Sequence, residues 1–229
     1  MKLVLFDIDG TILLTDGAGK RAIHRALREV FGSTGPDSHA FGGKTDPQIV
    51  RELMRMEGHE DPHIDDRMPL LLDRYVTYLG EELEVSTAKV ETMPGIHALL
   101  DVLDRRDDAI IGLLTGNLIE GAKAKLASVG IDFGRFKIGA FGSDHELRGE
   151  LPAVAQRRAR EELGVEVGGP DVVVIGDTPA DIHCGQSIGA RAIAVATGTY
   201  SIDDLLEHHP AAAFEDLSDT DAVIAAIMR

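Results

Sequence analysis

The chain has 229 residues, enough for one core domain carrying a smaller inserted one. Its formal net charge of -16 opposes binding to nucleic acid or to an anionic membrane surface, both of which need clustered cations. The single cysteine, Cys184, excludes a disulfide within the chain, and its expected place is a buried helical position. The first apolar run, Leu3 to Phe6, is too short for a leader or a membrane span, so a soluble, cytoplasmic protein is expected.

That run is continuous and ends in acidic residues and glycine, the pattern of a strand buried on both faces of a parallel sheet. From Thr15 to Val90 the pattern changes. Ala22, Ile23, Ala26, Leu27 and Val30 recur at helical spacing, followed by Ile49, Val50, Leu53 and Met54, then by Leu71, Leu72, Tyr75, Tyr78 and Leu79. Gly32 to Gly35 and Gly42-Gly43 divide this helical block. Met93-Pro94-Gly95 returns the chain to strands and helices in alternation. Strands are expected at 109–114, 172–175 and 190–196, and helices at 96–103, 119–129 and 153–163. The expected fold is an α/β, Rossmann-like doubly wound parallel sheet with an inserted α-helical cap. Residues 1–14 and 91–229 form the core, and 15–90 the cap.

The first strand runs into Asp7-Ile8-Asp9-Gly10-Thr11. Ligands in open α/β sheets bind at the carboxyl edge of the strands. Residues two apart in extended chain point the same way, so Asp7 and Asp9 can face one cleft. Of two such carboxylates, one can attack as a nucleophile while the other carries a proton. A hard divalent cation with oxygen ligands, for which Mg2+ is suited, would neutralise their excess charge.

This segment resembles the first motif of the haloacid dehalogenase superfamily, phosphatase branch. The resemblance implies Asp7 as covalent nucleophile and Asp9 as general acid/base. Leu113-Leu114-Thr115-Gly116-Asn117 is similar to the family's second motif, which places Thr115 on the transferring phosphoryl group with Gly116 and Asn117 as binding positions beside it. Val174 to Asp181 resembles the fourth motif. It implies Asp177 as a metal ligand with Asp7 and Asp9, and Asp181 as a further carboxylate facing a metal-bound water or the basic residue of the third motif. Asp181 also suits the first turn of a helix.

The third motif departs from the family pattern. Where a Lys followed by Pro-x-Pro is usual, this chain has Arg148-Gly149-Glu150-Leu151-Pro152. Arg148 is the candidate cation, with Lys137 and Arg157 as the alternatives to be tested against it. Within the cap, Asp16 to Gly19 and Gly42-Gly43-Lys44-Thr45-Asp46 look like segments of phosphoglycolate-phosphatase-like members. Lys44 is either a substrate contact or an exposed loop residue. The resemblance implies a Mg2+-dependent phosphatase acting on a small phosphorylated metabolite through an aspartyl-phosphate, as a monomer or homodimer. A phosphomutase, a phosphonate hydrolase using Lys44, and a non-catalytic binding protein are the competing expectations.

Overall fold

The computed structural model describes residues 1–85 and 89–229. The four expected apolar runs are strands: β1 (Lys2–Phe6), β4 (Ala109–Leu114), β6 (Val172–Gly176) and β7 (Arg191–Val195). Two short edge strands that the sequence did not announce, β5 (Ile138–Ala140) and β8 (Ala212–Phe214), complete a six-stranded sheet. Three residues rich in Gly and Ala are too few to show an alternation, and pairing with a longer neighbour is what defines them. All the pairings are parallel, in the order β5-β4-β1-β6-β7-β8. Leu3 lies between Ile110 and Val172, and Phe6 between Leu113 and Ile175.

Helices cover both faces, which is why these strands are apolar throughout. Val4 and Phe6 join Ile111 and Leu113 under α4 (Ile96–Leu103), α5 (Ile119–Ser128) and α9 (Thr220–Met228). Leu3 and Leu5 point the other way, onto Leu151, Val154 and Ala155 of α6 (Leu151–Leu163). After β1 the core is laid down through β4 to β5 on one side, then crosses to β6 on the other. That reversal opens a crevice at the carboxyl end of β1, where ligands of such sheets bind.

The insert leaves and returns through a two-stranded antiparallel neck, β2 (Leu13–Leu14) against β3 (Glu91–Thr92). It holds α1 (Ala18–Phe31), α2 (Asp46–Met56) and α3 (Asp61–Val85), and residues 86–88 of the expected cap lie outside the described residues. The buried stripes are the ones the spacing predicts: Ala22, Ile23, Ala26 and Leu27 of α1, Ile49, Val50, Leu53 and Met54 of α2, and Leu71, Tyr75 and Leu79 of α3. They make a separate apolar cluster, which Leu118 of the core enters. Thr45 caps α2 by accepting the Gln48 N–H at 3.2 Å, and Pro47 occupies its first turn, where a missing N–H is harmless.

Candidate active site

Asp7 follows β1 directly. Its N–H donates to the Ile175 carbonyl at 2.9 Å, so the ladder continues through it and leaves the side chain buried at the switch point. Gly10 turns the chain away with φ +83°, and a Cβ there would overlap the Asp177 carboxylate. Asp177 follows β6 and receives the Thr11 hydroxyl at 3.3 Å. Thr178 and Asp181 form a capping box at the start of α7 (Pro179–Cys184). Asp181 Oδ2 accepts the Thr178 N–H at 3.0 Å and its hydroxyl at 2.6 Å, which leaves Oδ1 for Arg148.

Arg148 lies in a one-turn 3-10 segment just before α6, whose first turn contains Pro152. Its Nη2 is 3.2 Å from Asp7 Oδ1, and it also donates to Asp181 Oδ1 and, at 3.4 Å, to the Leu114 carbonyl. Burial opposes its charge, but Asp181 and Asp7 outweigh burial and raise its pKa. Lys137 is exposed and donates to the Gly134 carbonyl, and Arg157 is exposed. The cation beside Asp7 is therefore Arg148.

Asp7, Asp177 and Asp181 are all buried, and one carboxylate oxygen of each lies within 4.8 Å of the others. Burial pushes the Asp7 carboxyl up despite Arg148, with the charges of Asp181 and Asp9 adding to the rise. Burial pushes Asp177 up as well, reinforced by Asp181 and Asp7. One guanidinium does not balance three carboxylates. This donor set is all oxygen, crowded and under-neutralised, and it fits a hard divalent cation.

Asp9 turns its carboxylate elsewhere. Oδ2 accepts the Asn117 amide at 2.8 Å, and both oxygens lie 2.7 Å from Lys125 Nζ. Thr115, fully buried after β4, accepts the same Asn117 amide at 2.7 Å. Sequence reasoning did not single out Lys125. The signal was its position on α5: Leu118, Gly121, Ala122, Lys125 and Leu126 share the buried stripe, whereas Lys123 is exposed. A lysine on such a stripe needs partners.

The cap reaches the core at several points, two of them beside the second motif. A Cβ at Gly116 would overlap the Lys44 carbonyl, so the Gly42-Gly43-Lys44 loop closes onto the second motif where a side chain is missing. Lys44 lines the cavity, with its ammonium 2.6 Å from Glu52 and 3.2 Å from His39. Asp46 makes the other contact with that motif. Its N–H donates to the Gly116 carbonyl at 2.8 Å, and its buried carboxylate accepts the Leu118 N–H at 2.8 Å and the Tyr75 hydroxyl at 3.4 Å.

Burial raises the Asp46 carboxyl from 3.8 to about 6, against the pull of Lys125. The folded state thus binds this proton more tightly than the unfolded chain does. Ionising Asp46 costs stability, and the cost grows from about pH 4 to pH 6 and is complete above. The stability difference between Asp46→Asn and the parent, measured by urea unfolding, should shift in favour of the variant by about 2–3 kcal/mol between pH 4 and pH 7. A pH-independent difference would show that Asp46 has an ordinary carboxyl in the folded protein.

Between cap and core lies a cavity of about 570 Å³ bounded by Asp7, Asp9, Thr115, Lys125, Arg148 and Asp177, with Ile23, Phe41 and Tyr75 of the cap opposite. Cys184 lies outside it: burial raises its thiol to about 12, so it stays protonated.

Buried strand ends, an acidic triad and a covering helical insert define a class of α/β protein with a capped acidic site at the switch point of its sheet. The chain belongs to the haloacid dehalogenase-like hydrolase family, which it matches over residues 4–186. Among solved structures it is similar to a hydrolase from Pseudomonas syringae, with TM-score 0.72, 19% identity and 99% of each chain covered. A predicted phosphoglycolate phosphatase from Haemophilus somnus gives 0.70 and 18%, with 98% of each chain covered. CbbY from Rhodobacter sphaeroides, solved with phosphate, gives 0.71 and 14%, with 96% of each chain covered. No curated protein matches the chain in sequence.

Proposed function

We propose that this protein is a Mg2+-dependent phosphatase that hydrolyses a small phosphate monoester through an aspartyl-phosphate on Asp7. The observation that carries this reading is Asp7 itself, buried at the sheet's switch point with Arg148 3.2 Å away and Asp177 and Asp181 beside it. Asp7, Asp177 and Asp181 would hold the Mg2+, which when bound supplies positive charge against the phosphoryl oxygens.

In the first half-reaction an Asp7 oxygen forms a bond to phosphorus while the bond to the leaving oxygen breaks. Asp9, which must enter this step protonated, gives that proton to the leaving oxygen and becomes the carboxylate. In the second, a water oxygen bonds to phosphorus, the Asp7 oxygen is released, and the water's proton goes to Asp9. Thr115 donates its hydroxyl to a phosphoryl oxygen, and Arg148 offsets the charge there. Phe41, Ile23 and Tyr75 shield the reacting group from water when the cap is seated.

The test is release of inorganic phosphate from a panel of phosphate esters. Activity should vanish with a chelator and return with Mg2+, and turnover unaffected by chelation would overturn the metal assignment. Asp9→Asn should slow esters with poor leaving groups by about 100-fold or more relative to those with good ones in single-turnover phosphorylation of Asp7. Equal losses across the series would remove Asp9 from proton transfer.

A further inference from the structure

Lys125 is a buried cation that the chemistry above does not use. Its ammonium has three protons, and it has three acceptors: both Asp9 oxygens at 2.7 Å and Asn117 Oδ1 at 2.6 Å. Only 4% of the residue is exposed. The environment is built around it. Gly121 and Ala122 keep the neighbouring turn of α5 small, and a Cβ at Gly19 of the cap would stand 3.5 Å from Nζ. Asp46, also from the cap, is close enough for Lys125 to draw its carboxyl downward.

Asn117 closes the arrangement into a ring. Its amide nitrogen donates to Asp9 Oδ2 at 2.8 Å and to Thr115 Oγ1 at 2.7 Å, while its oxygen accepts from Lys125. The group that carries the proton and the hydroxyl that meets the phosphoryl group are thereby fixed in one hydrogen-bonded unit. A carboxylate that is 43% exposed in its side chain and stands on a turn would otherwise sample several rotamers. A charge-assisted contact to both oxygens selects one.

We propose that Lys125 is a positioning residue for Asp9: with Asn117 it holds the Asp9 carboxyl group in one orientation, in register with Thr115, from which proton transfer at the phosphoryl site takes place. Its role is separate from that of Arg148, which faces Asp7 and Asp181. Lys125 acts through Asp9 and Asn117. This inference rests on Asp9 being the proton carrier of the proposed phosphatase.

The experiment compares Lys125→Met, which keeps length and loses charge, with Lys125→Arg and with the parent, on a leaving-group series of phosphate esters with Mg2+. For Lys125→Met the single-turnover rate with poor leaving groups should fall about 100-fold, and with good leaving groups only a few-fold, while KM stays within a few-fold. Lys125→Arg should recover part of the loss. Circular dichroism and thermal unfolding establish that the variants are folded. If Lys125→Met does not fold, Lys125→Arg carries the test, because a misplaced charge should still steepen the leaving-group dependence. A folded variant with losses equal across the series, or with unchanged rates, would overturn the inference. Asp7→Asn run alongside separates the two questions: turnover by that variant would overturn the phosphatase reading itself, whatever Lys125 does.

Discussion

Asp7→Asn should reduce turnover by more than about 10⁴-fold while leaving the protein folded, the scale seen when a covalent nucleophile is removed. The amide is isosteric with the carboxylate, so the strand end can be kept. It cannot form an acyl-phosphate. The backbone bond from Asp7 to Ile175 is untouched, and the side chain still offers one oxygen to Arg148. The variant also removes one of three crowded buried carboxylates. Burial and the charges of Asp181 and Asp9 outweigh Arg148 and oppose ionisation at this position, so neutralising it relieves more repulsion than it loses attraction, and stability without metal should hold or rise. Phosphate release and thermal unfolding of the same preparation check both halves. A variant that turns over freely would mean that a different group attacks phosphorus.

Arg148→Ala is the second large effect. The guanidinium is buried between Asp7 and Asp181, and its removal leaves two buried carboxylates without it. Truncating one member of such a cluster costs about 3–5 kcal/mol of stability. Turnover should fall about 10- to 1,000-fold, the range for losing one fixed electrostatic stabiliser. Arg148→Lys should recover part of the turnover, because a positive charge returns near Asp7. The shorter set of donors should still leave the Leu114 carbonyl contact at 3.4 Å unmade. Arg157→Ala, on the exposed side of α6, is the matched control and should leave turnover unchanged. Arg158 is a different case: it pairs with Asp144 at 2.6 Å and donates to the Gly139 carbonyl, so its loss should lower stability instead. Near-parental turnover by Arg148→Ala would remove it from the phosphoryl site.

Local pattern carried a large share of this protein. An apolar run that ends in Asp-x-Asp-Gly says that a strand buried on both faces delivers carboxylates to the edge of a sheet, because only burial on both faces makes a strand apolar throughout. Thr115 and Asp177, each at the end of such a run, were marked by resemblance to the family's second and fourth motifs, and helical spacing marked the stripes that α1, α2 and α3 bury. Arg148 was reachable by its sign and by standing where the resemblance expects the basic third motif, just before α6. The tertiary structure decided what sequence periodicity does not contain. β5 and β8 exist because longer neighbours pair with them. Asp9 faces Lys125 across 116 positions of chain, and Asp46 of the cap reaches Leu118 of the core across 72. Spacing along a helix shows which face a lysine occupies. Which carboxylate that face meets depends on how α5 crosses the sheet and where the cap comes to rest. For a buried charge that meeting sets the energetics, because desolvation is tolerated only where a partner stands within hydrogen-bonding distance.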